Sequence, residues 1–178
     1  MKIKPVTAMR PLRLECKIIA EVFPVTAHEV AQYFVSLVDE DAGDSISNLK
    51  LQKLLYYAQG FHLAFFDQVL FPEAIKAWMY GPVVPQVWHK YKDFGSGPIS
   101  VEPVNLERYS PRTREFLDEV YEVYGQFTAP RLRDMKHSEP PWKNTRQGEP
   151  ISHASMKEFF KTLVIVDDDD TGAAPPQG

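Results

Sequence analysis

Residues 47–60 read SNLKLQKLLYYAQG, and the fold turns on how that stretch is read. Ser47 is a residue type whose side-chain oxygen caps helices by accepting an orphan backbone N–H. Leu51, Leu54, Leu55 and Ala58, followed by Phe61 and Phe65, recur every three or four positions. That period predicts one inward stripe on a helix running from Ser47 to about Phe65. Lys50, Gln52, Lys53, Tyr56, Tyr57 and Gln59 fall on the other faces. Gln52 and Tyr56, and likewise Lys53 and Tyr57, are four apart, so an amide or an ammonium lies over a phenol ring. Two readings stay open: the tyrosines wall the core and wet only their hydroxyls, or the face is a rigid recognition surface.

Outward from this helix the pattern continues. Thr26 and Glu29 form a capping box before Val30, Phe34, Leu37 and Val38, which predicts a helix to about Glu40, stopped near Gly43. After Val69 the period falls to two: Ile75, Ala77 and Met79 on one side, Lys76, Trp78 and Tyr80 on the other. This is a strand, with a partner expected at Ile99 to Glu102. Gly81-Pro82 is expected to turn the chain, and Pro85 to open a helix carrying Val87, Trp88 and Tyr91 and ended by Gly95. Ser110-Pro111 opens the next, with Phe116, Leu117, Val120 and Tyr124 inside and Gly125 at its end. Thr128 caps a short helix holding Leu132 and Met135. A loop from His137 to Pro150 contains Pro140-Pro141-Trp142, where Trp142 either plugs the core or stands as a surface anchor. Ser152 opens the last helix, with Met156, Phe159, Phe160 and Leu163. The expected fold is mainly α (α+β), about six helices in one domain with a small antiparallel sheet of two or three strands.

The 178 residues carry 20 Lys+Arg against 24 Asp+Glu, a net charge of −4. The excess is one run, Asp167 to Asp170. A balanced body argues against a protein that coats nucleic acid. Residues 1–25 read as an N-terminal extension, an added strand or arm, 26–166 as the domain, and 167–178 as an acidic disordered tail. The single cysteine, Cys16, excludes an internal disulfide, and His28, His62, His89, His137 and His153 sit on five different elements. No phosphate-cradling glycine loop, metal-binding His/Cys spacing or nucleophile elbow occurs. No catalytic residue, metal or cofactor is therefore expected. No apolar stretch nears the roughly 20 residues that span a bilayer, so a cytoplasmic protein without a membrane partner is the simplest expectation.

Several phrases carry a resemblance. SNLKLQKLLYYAQG at 47–60, Leu70-Phe71, AWMYGPVVPQVW at 77–88, LDEVYEVYG at 117–125 and HSEPPW at 137–142 are similar, in order and spacing, to the Panacea-domain antitoxins, which include the SocA antitoxin and the phage-associated GepA-like proteins. The resemblance implies a bacterial or phage antitoxin of a type II module, which cancels a toxin encoded in an adjacent gene by direct protein contact. It also implies an alternative, delivery of the toxin to the ClpXP protease as in the SocA member. A DNA-binding regulator or a small enzyme stands as the reading from another class. The family's positions carry over as Leu51, Leu54, Gly81, Pro82 and Pro85 for the fold, and as Gln52, Lys53, Tyr56, Tyr57, Trp78, Tyr80, His137 and Trp142 for partner binding.

Overall fold

Thr26 begins the first helix in the manner its sequence dictates. Its Oγ1 accepts from the Glu29 N–H at 3.1 Å, and the Glu29 carboxylate accepts from the Thr26 N–H at 2.8 Å. The computed structural model describes residues 25–41, 43–128 and 139–164. Helix α1 spans Ala27–Ser36, four residues shorter than the apolar spacing predicts. Ser36 Oγ donates back to the Tyr33 carbonyl at 2.7 Å, and the Leu37 and Val38 N–H groups bond three residues back rather than four. A hydroxyl that competes for the backbone tightens and ends a helix in this way.

Helix α2 spans Asn48–Phe66 behind its Ser47 cap, and closes on Asp67 in the left-handed region, φ 56°. The expected strand then appears as a hairpin. β1, Lys76–Trp78, pairs antiparallel with β2, Gly81–Val83, in the register Lys76 to Val83 and Trp78 to Gly81. Two expectations are corrected here. The strand's partner is β2 and not Ile99 to Glu102: Ile99 instead donates its N–H to the Ile46 carbonyl at 2.8 Å. The chain turns at Met79-Tyr80, with Gly81-Pro82 already in the return strand, because Gly81 takes φ 126°, which only glycine adopts cheaply. Met79 consequently leaves the buried side it shares by parity with Ile75 and Ala77 and becomes 62% exposed. The outer edge of β1 is occupied by residues 148–151: Ala77 N–H bonds Glu149 O at 3.0 Å and Ile151 N–H bonds Ile75 O at 2.8 Å.

Val84 leads directly into α3, Pro85–Tyr91, with proline in the first turn; a 3-10 turn, Lys92–Phe94, carries it to Gly95. A second 3-10 turn, Leu106–Arg108, precedes α4, Pro111–Tyr124, capped by Ser110. The proline loop contains one helical turn, α5, Pro140–Lys143. Ser152 caps α6, His153–Lys161. The fold is mainly α with a two-stranded antiparallel sheet. The N-terminal arm, the helix with Leu132 and Met135, His137 and the acidic tail lie outside the described residues.

Helices α1, α3, α4 and α6 and strand β2 all pack on α2. From Lys50 to Leu63 every α2 residue is buried. This corrects the reading of Lys50, Gln52, Lys53, Tyr56, Tyr57 and Gln59 as an outer face: a helix enclosed on all sides has none. The closest approach is at Gly60, where a Cβ would stand 2.2 Å from the Phe160 ring of α6.

Two outcomes follow from this packing. Gly60→Ala drives a methyl into Phe160, so unfolding stability measured in denaturant should fall by about 1–3 kcal/mol, and Phe160→Leu in the same chain should return part of it. The second concerns acid. Burial opposes ionisation of Asp44, but the Tyr121 hydroxyl, the Lys50 ammonium (3.2 Å) and the Ser45 N–H outweigh it and hold its pKa below the ordinary carboxylate range. A folded pKa below the unfolded one stabilises above the unfolded value of about 3.9 and is lost as pH falls through the folded value. Thermal melts of Asp44→Asn should therefore lose less stability than the parent between about pH 4 and pH 2.

Candidate protein-binding site

The hairpin tip is held from beneath by residues of α2. Gln59 shows the general device: its Nε2 donates to Phe71 O at 2.9 Å, while its Oε1 accepts from Leu70 N–H at 2.7 Å and Phe71 N–H at 3.3 Å. One buried amide thus satisfies three backbone groups of a segment without secondary structure. Asn48 does the same for α3, donating to the Trp88 carbonyl at 3.1 Å and accepting from Gln52 Nε2 at 3.1 Å. Gln52 Oε1 accepts from Val84 N–H at 2.9 Å, where the hairpin leaves for α3. Lys53, wholly buried, extends its ammonium to the Tyr80 carbonyl at 3.1 Å. An unmet buried backbone group costs about 1–3 kcal/mol, so these bonds decide the path of the chain.

From the other side α5 closes the arrangement. Trp142 Nε1–H donates to the Trp78 carbonyl at 3.0 Å, and Trp78 meets Trp88 edge-on with ring centres 5.9 Å apart. Glu139, buried at the start of α5, accepts from the Tyr57 hydroxyl at 2.8 Å. The Tyr57 ring lies flat on Tyr124, 4.3 Å between centres. Burial first, and then the Glu139 charge, raise the Tyr56 and Tyr57 hydroxyls well above the usual phenol range. They stay protonated at any physiological pH, and Tyr57 serves as a hydrogen-bond donor.

Above this support the surface is apolar. Met79 and Tyr80 are 62% and 65% exposed, and beside them Trp78 and Trp142 are half-buried. An open groove of about 370 Å³ is lined by Ala77, Trp78 and Met79 of the hairpin and by Trp142, Lys143, Thr145 and Gln147. Exposed large side chains on a rigid turn, next to a groove, suit protein contact.

The sequence model for the family described as "Antitoxin SocA-like, Panacea domain" matches residues 51–143, slightly over half of the chain. The chain belongs to this family. No curated protein and no solved structure matches it. The matched Panacea-domain window opens inside α2 and ends in α5, so it contains Gln52, Lys53 and Gln59, the hairpin and Trp142 together.

The sequence-expected residues divide cleanly. Trp78 and Trp142 meet at the groove, and Tyr80 stands exposed on the turn between β1 and β2. Gln52, Lys53, Tyr56 and Tyr57 lie beneath it with 1% exposure or less and offer no surface to a partner. His137 lies outside the described residues. Of the fold positions, Leu51 and Leu54 are in the core, Gly81 and Pro82 form β2, and Pro85 begins α3. Sequence reasoning missed the exposure of Met79, which parity put on one side with Ile75 and Ala77, and the clamping roles of Asn48, Gln59 and Glu139. The available signal was amides on a helix whose every turn already carries leucine or phenylalanine. Among the described residues no group of three His, Cys, Asp or Glu is placed to hold a metal ion. His62 is engaged with the Gln68 carbonyl at 2.7 Å, its pKa lowered chiefly by burial.

Replacing Lys53 by Met keeps most of the side-chain volume and removes the bond to Tyr80. Amide exchange at Gly81 and Val83 should accelerate about tenfold while α4 amides keep their rates, because local opening is governed by local bonds. Equal acceleration everywhere would show that Lys53 serves the whole core and not the tip.

Proposed function

We propose that the protein is an antitoxin that neutralises a cognate toxin, encoded in an adjacent gene, by direct binding through the hairpin tip. Family membership supports the class of activity. The observation that carries the site is the exposure of Met79 and Tyr80 on a turn whose backbone is fixed by Lys53 and Trp142. Ordering a loop on binding costs affinity, and a tip already ordered avoids that cost. The protein makes and breaks no bond of its own in this reading, and acts in the cytoplasm alongside its toxin. No helix among the described residues is long and apolar enough to cross a membrane.

Co-expression with the product of the adjacent gene tests the proposal. That product alone should arrest growth, and this protein should restore it. The double variant Met79→Ser/Tyr80→Ser replaces two side chains that are 62% and 65% exposed, so it should melt within a few degrees of the parent. Losing two anchors of about 2 kcal/mol each should weaken binding by several hundredfold and abolish protection. A neighbour that is harmless alone, or full protection by the variant, would refute this assignment.

A further inference from the structure

The large apolar side chains most exposed among the described residues are Tyr80, at 65%, and Met79, at 62%. They are consecutive and stand on the turn of the hairpin. Met79 also borders the groove that Trp78 and Trp142 line. One face therefore carries a projecting thioether and, directly beside it, a hollow with two indoles. Sulfur against an aromatic ring is a favourable contact, and a methionine adapts its shape to the space it enters. Yet Met79, being mostly in solvent, does not fill the hollow of its own copy.

The charges around this face favour no partner of a single sign. Lys143 and Arg146 are exposed, and so is Glu149 at the end of the same segment. Exposed Asp93 adjoins Lys92, Glu73 precedes Lys76, and Lys90 shares the surroundings of His28 with Glu29, Glu73 and Glu102. A surface bearing both signs can meet its own image with opposite charges facing, which a surface of one sign cannot do.

We infer that the occupant of this groove is a second copy of the chain, docked about a two-fold axis so that the Met79 of each copy enters the Trp78–Trp142 groove of the other. A knob that borders its own hollow suits such a contact: two copies exchange knobs, and the pair closes without recruiting a third. The contact is small, a turn and a groove on each side. It falls short of the roughly 1,000 Å² that a durable interface buries, so the dimer forms and parts readily. The inference does not need the toxin-binding reading, since it concerns this protein alone. Where the two meet they compete: the dimer hides the tip, and a toxin bound to the tip separates the copies.

Sedimentation equilibrium of the full chain between ~1 and ~300 µM should show reversible exchange between monomer and dimer, with a Kd of about 50 µM. All three tryptophans of the chain, Trp78, Trp88 and Trp142, belong to this cluster, so their emission should shift to the blue over the same range as the groove loses water. Met79→Ser should raise the Kd at least about tenfold, because a two-fold contact loses both knobs at once. Met79→Leu, which keeps an apolar knob, should stay within about threefold of the parent. A chain that is monomeric throughout would overturn the inference. So would a dimer that Met79→Ser leaves intact, or one that forms without the change in emission, since its contact would lie elsewhere. Growth beyond two copies would show a head-to-tail contact and overturn the two-fold arrangement. A synthetic peptide of residues 167–178 that reproduces the emission shift at ~1 µM protein would give the groove to the chain's own end, with the same consequence. The adjacent-gene product separates this inference from the toxin-binding reading. Conversion of the dimer into a complex with one copy of each protein supports both. Binding that leaves the dimer whole removes the toxin contact from the tip and supports the dimer.

Discussion

Burying a helix on every side is possible only if its polar side chains find partners inside, and α2 meets that condition with the backbone of its neighbours. Gln59 bonds to main-chain groups of an irregular segment, Gln52 and Lys53 to the end and the turn of the hairpin, and Asn48 to the last turn of α3. The usual division of labour, in which helices and sheets satisfy themselves and side chains pack, is altered here. The loops are folded by the helix. Hydrophobic burial of Leu51, Leu54, Leu55 and Phe61 supplies the favourable free energy, while the buried amides and the ammonium select one path for the chain among the many that would bury the same area.

That arrangement explains what could be read from the sequence. Caps were legible because they are local: Thr26, Ser47, Ser110 and Ser152 each begin a helix where the hydroxyl and the following apolar period place one. The tip was misplaced by two residues, since Gly81-Pro82 looks like a turn in isolation and becomes strand only through pairing with Trp78 and Ala77. The faces of α2 were misassigned for a similar reason. Lys53 and Gln52 read as solvent-facing by type, and only the tertiary positions of Tyr80 and Val84 make burial cheaper than exposure for them. Trp142 was left between two readings, and the structure packs it, half-buried, against the core with its indole N–H on the Trp78 carbonyl.

Rigidity and exposure are thereby assigned to different atoms of the same residues. The Tyr80 carbonyl points into the protein and is held; its ring points out and is 65% exposed. The same holds at Trp78, whose carbonyl is bonded while one wall of the groove is its ring. Backbone capture leaves side chains at liberty to differ, because a bond to a carbonyl does not depend on which side chain follows it.

The physical consequence is a separation of two tasks that many binding loops combine. Gln52, Lys53 and Trp142 fix where the tip sits, and their substitution alters geometry without presenting a new chemical group to solvent. Met79 and Tyr80 present their side chains to solvent at that tip, and in the binding proposed here they decide what it touches. A surface built this way changes partner by exchanging a few exposed groups, and the cost in stability stays near the small values typical of surface positions. Tyr57 and Glu139 mark the boundary between the tasks. Their bond joins α2 to the start of α5, so the turn that carries Trp142 and Lys143 is referenced to the same helix as the hairpin. Both sides of the groove are therefore tied by hydrogen bonds to α2, the hairpin through Lys53 and the turn of α5 through Tyr57 and Glu139.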